Sequence, residues 1–318
     1  MRVLTFNSHQ PYVHLMATAL PWTIGIVAPR LVSGNVKHWD QHIRPLAANL
    51  QLYSSVEEAL KDFRWDWLLA HNVHDLMDFR EAQLPKVFLV HGTLSGRIIQ
   101  DQSNIDRTRY VKNLQLLLAA NRCKVVYISE LKRRDWGIPG EVIRSAIDIC
   151  QYGGYRGEVG GILQVCNHLK ERGALLGWNT CQVACRGLPW LVLGENQDLP
   201  TSRTAKDWEE LKEYYRSYRV YLHTSIYPYE DGYNLALLEA MATGMPIATI
   251  SHPSSPIQNG YNGIVAAEAE ELREKIIDLL NNPQRAAMLG KRARNTVELE
   301  FPLARFQYEW KSLAAKLA

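Results

Sequence analysis

The sequence predicts an α/β fold built from two doubly wound parallel-sheet units. Short apolar runs alternate with longer amphipathic segments along the chain, the sequence form of strands alternating with helices. The chain has 318 residues, enough for two domains of ordinary size, each with its own core. Near the middle the pattern is broken by Gly153, Gly154 and Gly157, and paired glycines favour turns.

In order, Arg2–Phe6 reads as a first strand, Pro11–Leu20 as a helix and Thr23–Ala28 as a second strand. Trp67–Ala70 and Val87–Val90 are short apolar runs of the kind buried inside a parallel sheet. Ile105–Arg122 has helical spacing, and Lys124–Ile128 is the next strand. The domain junction falls around Ile143–Tyr155. Beyond it, Gly161–Arg172 reads as a helix ending near Gly173. Trp190–Leu193 is a buried strand closed by Gly194, Trp208–Tyr218 an amphipathic helix, and Val220–His223 a strand. Leu235–Thr243 is a helix closed by Gly244, followed by a strand at Pro246–Ile250. Glu268–Leu280 and Pro283–Leu299 are helices. Phe301 and Pro302 then break the chain before a last helix, Ala304–Leu317.

Hydrophobic residues make up 47% and charged residues 22%, the profile of a globular protein. A formal net charge of +3 is too small to point to a nucleic-acid partner. No stretch approaches the roughly 20 apolar residues that span a bilayer. The start, MRVLTFNSHQ, turns polar after one Arg and does not read as a signal peptide. The expected location is the cytoplasm, with peripheral contact at the inner membrane face left open. Five cysteines at irregular spacing argue against a disulfide framework and are expected to be buried thiols. His71, His74 and His91 are a tempting metal set, but nothing requires a metal and none is expected.

The informative segment is Tyr227–Gly244, YPYEDGYNLALLEAMATG. Pro228 and Gly232 hold a tight loop after the strand at Val220–His223. Asn234 is placed to cap the following helix, whose first turn offers unpaired N–H groups and a partial positive charge suited to a diphosphate. Gly232 would let backbone approach the phosphates closely. Two carboxylates flank this anion site, Asp231 in the loop and Glu239 on the helix. Their natural partners are sugar hydroxyls.

This segment resembles the donor-binding motif of retaining GT-B glycosyltransferases of the family-four, or group 1, type. The resemblance runs from Asp231-Gly232-Tyr233-Asn234-Leu235 through Leu238-Glu239-Ala240-Met241-Ala242 to Gly244, and continues at Asn259–Val265, Leu289-Gly290 and Arg292–Arg294. It implies two Rossmann-like domains facing across a cleft. Residues 1–148 would bind the acceptor, 149–302 would bind the nucleotide sugar, and 303–318 would form a helix crossing back to the first domain.

The resemblance also implies roles. The amides near Gly232, Tyr233, Asn234 and Leu235 would hold the diphosphate, and Glu239 the ribose. Asp231 or Glu230, with His91, would orient the transferred sugar. Gly194 and Glu195 would line the base pocket, and Asn7, His9 and His14 would meet the acceptor. The family has an Arg and a Lys in the first loop of its C-terminal domain; Arg156 would be that Arg, and the Lys is missing. Asp231 stands where the family has Glu, and Asn234 replaces a second Gly. The implied reaction moves a sugar from a UDP- or GDP-sugar to a hydroxyl with retention, without metal or cofactor. The acceptor would be a glycan, a lipid-linked or a small molecule, and no nucleic acid is implied. A sugar-nucleotide epimerase, a phosphorylase and a non-catalytic sugar-nucleotide binder are the alternatives.

Overall fold

A computed structural model describes residues 1–29, 37–62, 64–200 and 202–317. In chain order its elements begin with β1 (Arg2–Phe6), α1 (Gln10–Ala19), β2 (Thr23–Val27), β3 (Leu50–Tyr53), α2 (Val56–Asp62), β4 (Trp67–Ala70) and α3 (Val73–Asp78). Then come β5 (Lys86–Val90), α4 (Leu94–Gln100), α5 (Arg107–Ala120), β6 (Cys123–Tyr127), α6 (Glu130–Trp136) and β7 (Glu141–Val142). The second half holds β8 (Val159–Val165), α7 (Gly173–Leu176), α8 (Trp178–Ala184), β9 (Trp190–Leu193), β10 (Ser202–Arg203), α9 (Trp208–Ser217) and β11 (Tyr218–His223). It closes with α10 (Leu235–Thr243), β12 (Ile247–Ile250), β13 (Gly263–Ala266), α11 (Ala269–Asn281), α12 (Pro283–Glu300) and α13 (Leu303–Ala315). Two compact units result: residues 1–93, 104–145 and 303–318 form one, and residues 94–103 and 146–302 the other.

The first unit has a parallel sheet in the order β3-β2-β1-β4-β5-β6-β7. Every residue of β4 and β5 is buried, which is why Trp67–Ala70 and Val87–Val90 read as unbroken apolar runs; Lys86, at the start of β5, donates through its ammonium to Ala82 O at 2.6 Å. α13 belongs to this unit. Its Trp310 stacks on Trp67 with ring centroids 6.0 Å apart, and its Gln307 amide donates to Ala19 O at 2.6 Å.

The second unit repeats the plan in the order β10-β9-β8-β11-β12-β13, again parallel. Alternation along β8 and β11 sends Ile162 and Leu222 into one core layer and Leu163 and Tyr221 into the other. In both sheets the order reverses beside the first strand, between β1 and β4 and between β8 and β11. Diverging connections there leave a crevice at the strands' carboxyl ends, the usual ligand position in open α/β sheets.

One element departs from the sequence reading. Gly161–Arg172 is not a helix: Val159–Val165 is the central strand β8, paired to both β9 and β11. Ile162, Leu163, Val165 and Leu169 fit helical spacing, but a short apolar run fits a buried strand equally, and sheet pairing decides. The difference moves a functional loop, because residues 166–172 become the connection after a strand. Burial also holds fully only for Cys181 and Cys185; Cys150 is exposed.

Candidate functional site

Four loops meet at the carboxyl edge of the second sheet, after β9, β8, β11 and β12. The first two are stitched together. Leu169 N donates to Asn196 Oδ1 at 2.7 Å, Asn196 Nδ2 to Cys166 O at 2.8 Å, and Glu195 N to Asn167 Oδ1 at 3.0 Å. Gly194 makes this approach possible: at φ +131° any side chain would strike Cys166 O and Asn167 Oδ1. Gly194 and the exposed Glu195 thus stand beside the loop after β8.

The loop after β11 is fixed by hydrogen bonds of defined sense. Ser225 Oγ donates to Asp231 O at 2.5 Å and lies 3.0 Å from His223 Nε2. His252 Nε2 lies 2.9 Å from Glu230 O, so it donates, and its Nδ1 accepts from Ser254 N at 3.2 Å. Burial, followed by the neighbouring His252, lowers the His223 pKa to about 4. Asp231 is buried, and its N–H donates to Glu230 Oε1 at 3.0 Å.

Gly232 is packed against a neighbouring loop. Its N–H donates to Ser254 Oγ at 2.9 Å, and a Cβ there would meet His252 Nδ1 at 2.6 Å and Ser255 N at 2.7 Å. Packing against the loop after β12 demands glycine at this position. Tyr233 turns its ring edge-on to Phe301, centroids 5.2 Å apart.

Asn234 caps α10, its side chain accepting from Leu237 N at 2.9 Å. The amides of Leu235 and Ala236 in that first turn have no acceptor within the helix. Glu239, more than one turn deeper, is buried, and Tyr215 Oη donates to its Oε2 at 3.1 Å. Residue 239 is therefore held by α9, a partner that its spacing from Asp231 does not reveal.

Arg156 requires a correction. It precedes β8, so it lies at the amino edge of the sheet, opposite the four loops. Its backbone N–H donates to Arg216 O at 2.8 Å, just before β11 begins. Its guanidinium pairs with Glu158 and Glu213, all three side chains about half exposed. Arg172, from the loop after β8, does lie at the carboxyl edge, and its Nη2 is 3.8 Å from Glu230 Oε2. The signal for it was Lys170-Glu171-Arg172-Gly173 itself, hidden by reading the segment as helix.

At the carboxyl edge of the first sheet three histidines follow three adjacent strands: His9 after β1, His71 after β4 and His91 after β5. His9 stacks on His91 with centroids 3.8 Å apart. His71 Nδ1 lies 2.8 Å from His91 Nε2. Asp75 braces the group, its Oδ2 accepting from His71 N at 2.9 Å and Ser8 Oγ at 3.1 Å. Burial lifts the Asp75 pKa to about 6. His9 is exposed and His91 half-buried.

The other two acceptor candidates are not displayed in this way. Asn7 is fully buried, and its amide donates to His38 O at 2.9 Å, tying the loop after β1 to a later one. His14 sits in α1, not in a loop, at 6% exposure. Burial, reinforced by Arg44, lowers its pKa to about 4. Among the described residues, no group of three or more His, Cys, Asp or Glu side chains is arranged to hold a metal ion. No helix among them is long and apolar enough to cross a membrane.

Two parallel sheets with reversed strand order, each gathering polar groups at its switch point, are the architecture of the GT-B fold. Residues 203–296 match the family of glycosyl transferases group 1, which places the Asp231–Glu239 segment in a known domain type. No curated protein matches the chain in sequence. Three similar solved structures span this chain almost completely. HepE of Anabaena in complex with UDP is 15% identical, with a TM-score of 0.68 over 99% of this chain and 100% of that one. Sucrose-phosphate synthase of Thermosynechococcus elongatus is 13% identical, at 0.67 over 100% and 99%. A glycosyltransferase of Rickettsia africae is 14% identical, at 0.65 over 99% and 98%. At such identities the likeness shows the fold.

Proposed function

We propose that the protein transfers a hexosyl group from a nucleoside diphosphate sugar, of the UDP or GDP type, to an acceptor hydroxyl. Anomeric configuration is retained and no metal takes part. The observation that supports this reading best is the placement of the family-matched segment. It brings a capped helix start and two carboxylates to the switch point of the second sheet, beside Arg172 of the loop after β8.

In this reading the diphosphate rests on the Leu235 and Ala236 amides, and Arg172 leaves Glu230 to meet it. Charge growing on the leaving phosphate is stabilised by groups already in place, the main source of catalysis in sites of this kind. Glu239, steadied by Tyr215, accepts from the ribose hydroxyls. Glu230 and Asp231 accept from the transferred sugar. Gly194 and Glu195 line the base position. His9 and His91 are the hydroxyl-binding groups of the first unit. The domain roles follow: residues 1–148 with 303–318 serve the acceptor, and residues 149–302 the donor. The acceptor is a glycan, a lipid-linked or a small molecule. UDP bound to the Anabaena protein makes a uridine donor the first to test.

A thermal-shift series with UDP-, GDP- and ADP-sugars tests the reading, because a ligand binding the folded state raises its stability. The matching donor raises Tm, and Glu239→Ala abolishes the rise. No shift with any nucleotide sugar would overturn the assignment. A shift without transfer to any offered hydroxyl would replace the enzyme by a binding protein.

A further inference from the structure

We propose that Thr5 and His71 are positioning residues that lock His91 in the tautomer carrying its proton on Nε2. Its Nδ1 is thereby presented as an acceptor for a ligand hydroxyl. The carbonyl of Leu69 fixes the direction of the whole chain of bonds. Thr5 Oγ1 lies 2.9 Å from Leu69 O and 2.9 Å from His71 Nε2. A hydroxyl has one proton, and a carbonyl oxygen can only accept. Both contacts are bonds only if Thr5 donates to Leu69 O and accepts from His71 Nε2–H. A neutral His71 then has a bare Nδ1, and the 2.8 Å contact from it must be filled by a proton on His91 Nε2. His91 Nδ1 is left unprotonated.

The surroundings favour the neutral form of both rings. His71 is buried, and burial, then His9, holds its pKa well below the ordinary range. Burial lowers His91 in the same direction, with His9, His71 and Lys132 adding to it. The buried Lys132 and the exposed His9 are basic side chains near His91, and Tyr12 meets its ring edge-on at 5.0 Å. Asp75, the nearest acid, accepts the backbone N–H of His71 and not its ring. Thr5 lies on β1 directly opposite Leu69 on β4, at the strand reversal, so two central strands set the geometry.

A ring with a fixed bare nitrogen accepts from a hydroxyl and cannot donate to one. His91 therefore selects a ligand hydroxyl that donates and rejects a ligand group that only accepts, such as a carbonyl or an ether oxygen. That an acceptor or donor-sugar hydroxyl fills this place rests on the glycosyltransferase reading; the tautomer does not.

Nitrogen-15 spectra of the full chain, labelled at histidine, read the tautomer directly. His91 and His71 are assigned by the resonances lost in His91→Asn and His71→Asn. The expected wild-type pattern is a protonated Nε2 and a bare Nδ1 on both rings at neutral pH. Thr5→Ser keeps it. Thr5→Val, of nearly the same shape, removes the acceptor of His71, and His91 then shows averaged or Nδ1-protonated signals. With a donor in hand, Thr5→Val lowers kcat roughly tenfold, the effect of one lost hydrogen bond, while KM for the donor stays near wild type and Thr5→Ser is normal. A wild-type His91 protonated on Nδ1 overturns the proposal even if Thr5→Val does not fold. So does a Thr5→Val protein whose histidine signals match wild type. Neither result depends on whether a nucleotide sugar binds.

Discussion

Replacing Arg172 by Ala removes the cation that the proposed donor site brings to the carboxyl edge, whereas replacing Arg156 removes one from the opposite edge. Seven residues of β8, at about 3.3 Å each, put the two edges roughly 20 Å apart. A hydrogen bond to a charged group contributes about 1.5–3 kcal/mol. Arg172 is 32% exposed and starts from an ion pair with Glu230, so the lower end applies. That is roughly a tenfold weaker Kd for a nucleoside diphosphate. Arg156→Ala breaks only a half-exposed surface pairing and should leave Kd within about twofold. Isothermal titration of both variants with UDP, or with whichever diphosphate stabilises the protein, makes the comparison. Arg172→Lys, which keeps the charge but loses the fork, should fall between Ala and wild type. Equal losses for Arg156→Ala and Arg172→Ala would refute the edge argument. Nucleotide affinity unchanged in Arg172→Ala would remove the arginine from the site.

Gly194→Ala should destabilise the second unit by roughly 1–3 kcal/mol, read as a lower urea midpoint, because alanine at φ +131° strikes Cys166 O. Tyr215→Phe releases the Glu239 carboxylate and should weaken nucleotide binding by about threefold to tenfold with little change in fold, checked by titration and circular dichroism. The pH dependence of stability has two opposing parts. His14 and His223 have folded pKa values near 4, below their ordinary 6.5, so the unfolded chain takes up protons first and stability falls as pH drops from about 6.5 to 4. Asp75, raised from 3.8 to about 6, works the other way, since the folded chain holds its proton more tightly and gains stability as pH falls through 6. Asp75→Asn should therefore steepen the acid loss between about pH 6 and 4 in urea titrations, and a shallower slope would contradict the burial of this carboxyl.

The strands at Arg2–Phe6, Trp67–Ala70 and Trp190–Leu193 were legible because buried parallel strands must be apolar on both faces. The cap at Asn234 was legible because an N-cap is a local bond between a side chain and an amide three residues on. The segment 161–172 was not, since helix and buried strand share its pattern, and with it Arg172 stayed hidden. Arg156 was implied by the resemblance, as the arginine of the first loop of the C-terminal domain, and a place in a loop order does not say at which end of a strand a residue lies. His71 was visible only as a metal candidate and Thr5 carried no local mark; only the pairing of β1 with β4 brings Thr5 Oγ1 within 2.9 Å of His71 Nε2. The sequence by itself determined the alternation of elements and the chemistry of the helix start, because both depend on residues within a few positions of each other. The tertiary structure alone decided which loops share an edge, which carboxylate Tyr215 holds and which way the histidine protons point. Those depend on residues brought together from dozens of positions apart by strand order, and no local pattern encodes that order.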